Sequence, residues 1–462
     1  MTMLDDFDIP GILKASLKNG GDFAEVFYEY VRPTTIVCED GKIEKIVSGI
    51  DMGVGMRAIY NAKTAYAYTN QLTNEGLFEV ADAVSCACKG NVFGKDINLT
   101  RKNPAINHNI KKLPQDVSID EKVSLVKRAN DVARSWDKRI KQVKVVYSDS
   151  VRKIAIANTT GEFVCDNRIG IIFFVQVVTA QDDVIQTGYE PVGGFMGLEL
   201  LDENSPEKIA EIASVRALKM LQARRAPGGR MPVVLSSEAG GTMIHEAIGH
   251  GLEADLAQVG LSVYTGRIGE EIASPLINVV DDATLANKRG SYSFDDEGVE
   301  AQRTSLVEQG VLKGYLYDRL TAIKDNVQST GNGRRESYKS RPIPRMSNTF
   351  ILHGEMRPEE IVRSTYKGLF VKKMGGGQVN TVNGDFVFEV SEGYLIENGE
   401  IGEAVRGATL TGNGPALLKN IDMVGNDLGF GIGTCGKDGQ GVPVSDAQPT
   451  LRIPEIIVGG EV

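Results

Sequence analysis

Hydrophobic positions along the first 225 residues fall into two rhythms. Phe23 to Val31 and Thr34 to Asp40 are rich in β-branched and aromatic residues, and Gly41-Lys42 between them and Ile43 to Val47 reads as a turn. Asp51 to Tyr60 and Lys63 to Thr69 repeat the pattern around a turn at Asn61-Ala62. From Gln142 to Thr187 a second run predicts an antiparallel meander, with strands at Val143–Tyr147, Val151–Asn158 and Phe163–Ala180. Helical spacing intervenes three times. Leu77, Val80, Val84 and Ala87 recur on one face of Thr73 to Lys89. Ser118 and Glu121 form a capping box ahead of Val123, Val126, Ala129 and Val132. Ser205-Pro206 opens a helix that runs to about Arg225. Gly90 to Gln115 is a polar connector.

Pro227-Gly228-Gly229 breaks the pattern, and the domain boundary is placed there: residues 1–225 form an N-terminal α+β domain and residues 226–462 a C-terminal domain. The second half opens with a short strand, Met231 to Ser236, followed by a helix that carries two histidines. Beyond Ala257 the chain is dense in Gly, Asn, Asp and β-branched residues, with one helical stretch at Pro358 to Lys367. The expected fold class is α+β. The C-terminal half should be built on a large twisted antiparallel sheet.

That helix holds the chain's most telling segment, His245-Glu246-Ala247-Ile248-Gly249-His250, with two of the four histidines around a glutamate. Imidazole ligates zinc readily, and a carboxylate beside a metal-activated water serves as general base. Histidines four apart lie about 40° apart around a helix; five apart they lie about 140° apart and cannot close on one ion. His250 must therefore sit where the helix is distorted or has ended, and Gly249 is the place that best tolerates it. The neighbours Gly240, Gly241, Met243, Ile244, Ala247 and Ile248 are apolar or small, and a buried His-Glu-His among them needs a polar purpose.

A catalytic zinc takes three protein ligands and keeps a fourth position open. Candidates for the third are Glu253, His353, His108 and a cysteine. Cys435 stands out, because it lies in a glycine-dense loop from Gly429 to Gly436 whose backbone can approach a metal or substrate. Cys38, Cys86, Cys88 and Cys165 read as small buried hydrophobes. Gly431-Ile432-Gly433-Thr434-Cys435-Gly436 also fits a dinucleotide fingerprint, but the turn-rich stretch after it offers no helix.

Composition narrows the function. The formal net charge of −10 over 462 residues gives no basic field to recruit nucleic acid or an anionic membrane. The strongest apolar run, Gly170 to Val175, is far short of the roughly 20 residues a membrane helix takes. Five cysteines argue against a disulfide framework, and an acidic N-terminus lacks a secretory pattern; both point to a cytoplasmic protein.

The segment from His245 to Asp255 resembles the HExxxH signature of the TldD/PmbA family, in its TldD branch. Gly333–Tyr338, Pro344–Phe350, Gly375–Val379, Gly433–Lys437 and Gln448–Leu451 extend the resemblance to the C-terminus. In the first half it rests on length and layout. The resemblance implies a zinc metallopeptidase: Zn2+ held by His245, His250 and Cys435, with Glu246 as catalytic base. It also implies a homodimer, or a heterodimer with a PmbA/TldE-like chain, enclosing a chamber for short or unfolded peptides. Tyr338, Arg334 and Arg335 are candidate donors to the developing oxyanion, and Gly375, Gly376 and Gly377 a candidate backbone contact for substrate. The rival reading is a non-catalytic peptide-binding subunit, which has no need of all four of His245, Glu246, His250 and Cys435.

Overall fold

The period-two segments of the first half pair into one eight-stranded sheet in the computed structural model, which describes residues 3–90, 96–106 and 108–461. Part of the polar connector, residues 91–95 and 107, lies outside the described residues. The sheet runs in the order Lys63–Thr69, Asp51–Tyr60, Phe23–Glu39, Ile140–Asn158, Glu162–Gln181, Thr100–Lys102, with Lys42–Ser48 and Val184–Gly194 alongside. Two strands are longer than the pattern foretold. Phe23–Glu39 runs unbroken through Pro33. Pro33 sits where one neighbour hands over to another: pairing to Asp51–Tyr60 ends at Val31, and pairing to Lys42–Ser48 begins at Thr34. The missing N–H therefore costs no ladder bond on that side.

Ile140–Asn158 likewise runs through the polar Ser148-Asp149-Ser150, read above as a break. The buried carboxylate of Asp149 accepts a hydrogen bond from Lys122 at 2.6 Å, with both side chains under 5% exposed. Breaking a buried pair by removing one partner costs about 3–5 kcal/mol, since the survivor is left charged and unpaired. Lys122→Ala is thus expected to lower the chemical-denaturation midpoint of this half sharply. Lys122→Met paired with Asp149→Leu should recover most of the loss. Equal midpoints for the single variant and the parent would show that Asp149 is not stranded.

Strand alternation assigns the sheet's two faces. Val26, Val54 and Met56 pack against the helices Ile9–Ser16 and Asn74–Ser85. Further along, Ile36, Val143 and Val175 pack against Ile119–Ser135 and Pro206–Gln222. The Ser118–Glu121 capping box forms as expected. Glu25, Phe27 and Glu29, on the opposite face, meet the second half. Phe27 packs with Phe294 and Tyr338. Arg57 pairs with both Glu25 (2.9 Å) and Glu297 (2.5 Å), and Arg168 with Asp296 at 2.8 Å.

The second half is α+β and sheet-rich, but among the described residues it divides into two large sheets and a two-stranded ribbon, Gly333–Arg334 with Ile343–Pro344, rather than one sheet. In the first, Lys367–Val379, Gly229–Leu235, Leu451–Gly459, Thr409–Asn413 and Asp385–Glu397 pair in sequence. Asp385–Glu397 then pairs back onto Lys367–Val379, closing the five strands into a ring. The second is an open six-stranded sheet ending in Asn348–Ile351, Gln440–Gln448 and, at its edge, Gly429–Lys437. Parallel pairs occur in both, at Val233↔Leu369 and Asn348↔Ser445. Two short helices that the glycine-rich pattern hid, Arg319–Asp325 and Gly414–Asn420, are capped by Asp318 and Asn413. Among the described residues no helix is long and apolar enough to cross a membrane.

Candidate metal centre

Ile244, Ile248 and Leu252 are fully buried in the core of the second half, which fixes the orientation of the segment between them. The backbone there is not one helix. One α turn, Thr242–Ile244, gives way to a π-helical turn, His245–Gly249, and then to a 3-10 turn, His250–Leu252. The His250 N–H bonds to the His245 carbonyl. A π turn joins residues five apart, so it brings to one side the two histidines that an α-helix would splay. The expected distortion is present but begins at His245, upstream of Gly249. Gly249 itself has ordinary helical angles (φ −51°). Glycine is needed there for space, because a Cβ would come within 2.0 Å of the Met346 sulfur.

Cys435 enters from the edge strand Gly429–Lys437; the stretch read above as a loop is one arm of a hairpin. Its Sγ lies 3.4 Å from His250 Nε2. Donor atoms of His245, His250 and Cys435 all fall within 4.8 Å of one another. Donors bound to one zinc at 2.0–2.3 Å stand about 3.3–3.8 Å apart in a tetrahedron, so this cluster fits a single ion. The outer atom of His250, Nδ1, is held at 3.0 Å by the buried carboxylate of Glu253. Glu253 is in turn held by Lys437 at 3.1 Å and faces Arg345. His245 Nδ1 is buried without a hydrogen-bond partner, 3.9 Å from Asp446.

The electrostatics suit a metal ligand set. Burial would raise the Cys435 thiol, but hydrogen bonds and charge from His245 and His250 bring it down to about 5, and the thiolate is the form that ligates. Burial works against a charged His250, yet Glu253 and Cys435 push it up to about 11, so a metal would have to displace a proton there. Burial also raises the Glu246 carboxyl, as a base working near neutral pH requires.

Glu246 is half-buried and lines, with both histidines and Cys435, a cavity of about 690 Å³. Gly375 and Gly376 line it too; Gly377 lines an adjoining groove beside Glu246 and His250, and stands where a Cβ would strike the Phe388 ring. Thr187, Tyr189 and Pro191 form a wall contributed by the first half. The other site candidates lie elsewhere. Arg335 is fully buried on Glu25 at 2.5 Å. Tyr338 reaches Asp51 at 3.1 Å, and Arg334 donates to the carbonyls of Met346 and Pro443. None of the three lines the cavity of the His–His–Cys cluster. Glu253 stands behind His250, His353 is exposed on its own loop, and His108 packs on Phe195. Cys38 and Cys88 are buried as expected, while Cys86 is exposed at a helix C-cap.

Three family profiles match the chain in tandem. They are the PmbA/TldA metallopeptidase domain 1 (residues 24–87), central domain (112–221) and C-terminal domain (228–460). A "Metalloprotease TldD homolog" of Haemophilus influenzae is 38% identical, covering 99% of this chain and 96% of its own. The chain belongs to the PmbA/TldD metallopeptidase family. Solved structures share the fold. A Thermotoga maritima protein described as a modulator of DNA gyrase superposes with TM-score 0.78 at 24% identity, over 95% of this chain and 96% of that one. TldE from Thermococcus kodakarensis gives 0.76 at 18% identity, over 99% and 100%.

Proposed function

We propose that the chain is a zinc-dependent peptidase that hydrolyses short or unfolded peptides, with His245, His250 and Cys435 as ligands and Glu246 as general base. The observation that carries this reading is the convergence of two imidazoles and a thiolate beside a half-buried glutamate on one cavity wall. Zinc bound there would supply a Lewis acid to polarise the scissile carbonyl and acidify a water. Glu246 takes the proton from the attacking water and delivers it to the leaving amine. Glu253 holds the His250 ring by its Nδ1–H, fixing the tautomer that leaves Nε2 free. Arg334, Arg335 and Tyr338 lie away from this cavity, whose lining includes Lys373, Tyr189 and the hydroxyls of Thr187, Thr242, Ser391 and Thr434 as side-chain donors. The edge strand Gly429–Lys437 offers unpaired backbone to an extended peptide, and Gly375 and Gly376 line the same cavity.

The likeness to TldE supports assembly with a TldE-like chain or with a second copy, in which two chains wall off the site. A net charge of −10 gives the gyrase description no electrostatic support. The expected outcome is a dimer by sedimentation that digests an unfolded protein and spares its folded form. A folded domain cannot thread an extended strand to the cluster. A monomer that cleaves both forms at similar rates would overturn the enclosed-chamber reading and leave the ligand set standing.

A further inference from the structure

The two histidines of the cluster are held unequally. Glu253 takes His250 Nδ1 at 3.0 Å, whereas His245 Nδ1 is buried with no hydrogen-bond partner among the described residues. A buried ring nitrogen left so is costly unless some state of the protein satisfies it. The one carboxylate within 4.0 Å of it among the described residues is Asp446, whose Oδ2 stands at 3.9 Å. The packing makes room for that side chain. Asp446 is buried on the strand Gln440–Gln448, with Thr349 and Gly431 as its cross-strand neighbours. A Cβ on Gly431 would come within 2.7 Å of Asp446 Oδ1, and one on Gly241 within 2.6 Å of Asp446 Cβ. The Gly241 peptide then bridges the two residues. Its N–H donates to Asp446 Oδ1 at 3.1 Å, and its carbonyl accepts the His245 N–H at 2.9 Å. Oδ1 is thus tied to the backbone, and Oδ2 is the oxygen on the His245 side.

Charge points the same way. A divalent ion on one thiolate and two neutral imidazoles leaves a net positive charge in a buried site. Glu253 is already taken up by Lys437 at 3.1 Å and faces Arg345 at 3.9 Å. Asp446 has no lysine or arginine within ion-pair distance among the described residues. Lys373 attracts it from farther off, and Glu246, of the same sign, lines the same cavity. We infer that Asp446 is the positioning residue of His245: it accepts the Nδ1–H of that ring when a metal occupies the other nitrogen, and its charge offsets that of the ion. A ligating histidine is oriented by the acceptor on its second nitrogen, which also decides the tautomer. Each motif histidine then has its own carboxylate, Glu253 local in sequence and Asp446 two hundred residues away. This inference rests on the ligand set proposed above, but it is read from metal affinity and needs no turnover.

Asp446→Asn in the full-length protein separates this role from a tether on the motif backbone. The asparagine oxygen can still accept from the Gly241 N–H, so a tether survives. Its amide then turns N–H toward His245 Nδ1 and favours the tautomer protonated on the other nitrogen, which cannot ligate. Zinc affinity, measured by competition with a chromogenic chelator, should fall about 10–100-fold, with the melting temperature of the metal-free protein unchanged. Parental zinc affinity in Asp446→Asn overturns the proposal. Parental affinity with peptidase activity lost would make Asp446 the general base and overturn it too. A second measurement needs no variant. In the zinc-loaded parent labelled with nitrogen-15 histidine, two Nδ1-bound protons should exchange slowly, one on each motif ring. His108 does not add to them, because its Nδ1 accepts from the Asn287 N–H, and His353 is exposed. One slow Nδ1 proton in place of two overturns the proposal even where Asp446→Asn fails to fold. If the parent itself holds no zinc, the ligand set fails and this inference with it; if the parent holds zinc and either test fails, the ligand set stands alone.

Discussion

Replacing Glu246 with glutamine is expected to leave the fold and the metal content intact and to lower kcat/KM on an unfolded peptide by about 10²–10⁴, the usual worth of a positioned general base. The substitution is nearly isosteric, and Glu246 is half-buried on the cavity wall, outside the cluster of three donors. It removes the proton acceptor alone. Zinc per chain and the melting temperature should match the parent; kcat/KM should not. The competing acceptor is Asp446, which lines the same cavity and sits 3.9 Å from His245 Nδ1. Asp446 already accepts from the Gly241 N–H at 3.1 Å, which ties one oxygen to the backbone of the motif segment. Parental activity in Glu246→Gln would move the base to Asp446, and Asp446→Asn would then carry the loss.

How much of this site can be read from the sequence depends on distance along the chain. The His245–Glu246–His250 spacing demands a break in the helix, and the π turn supplies it. Cys435, nearly two hundred residues away, is marked by the glycines around it, though their role is different from the one the pattern implied: they form an edge strand, not a loop. Glu253 carries a local signal as well. A carboxylate three residues after a histidine can reach its ring, so the residue that looks like a ligand stands behind the His250 ring and holds its Nδ1.

What the sequence conceals is pairing across the two halves. Gly333-Arg334-Arg335-Glu336-Ser337-Tyr338 looks like active-site material because it is polar and distinctive. Its Arg335 is committed to Glu25, 310 residues away, and its Tyr338 to Asp51. Nothing in local composition separates a buried arginine that rivets two halves from one that waits for substrate. The closed ring of strands is hidden for the same reason: Leu369↔Leu395 and Val233↔Leu369 look like ordinary strand residues until the registers are known. Long strands that cross Pro33 and Asp149 escape a reading by composition because their partners, a change of neighbour and Lys122, lie outside any local window.

Cys435→Ser is expected to empty the metal centre. A serine hydroxyl does not ionise near neutral pH, whereas the Cys435 thiol is brought down to about 5 by the two histidines. The variant thus exchanges an anionic soft donor for a neutral hard one, to which zinc binds far more weakly. The backbone should hold, since Arg345 grips the Cys435 carbonyl rather than the sulfur. After dialysis against a mild chelator the parent should keep about one zinc per chain and Cys435→Ser less than about a tenth of that, with peptidase activity falling in parallel. Glu253→Gln should weaken zinc by about 10–100-fold, as loss of an orienting partner does. His353→Asn and His108→Asn should keep full zinc, because His353 is exposed on its own loop and His108 accepts from the Asn287 N–H at 3.1 Å. Stoichiometric zinc in Cys435→Ser, or loss of zinc from His353→Asn with the fold intact, would assign the third ligand elsewhere and with it the geometry of the whole centre.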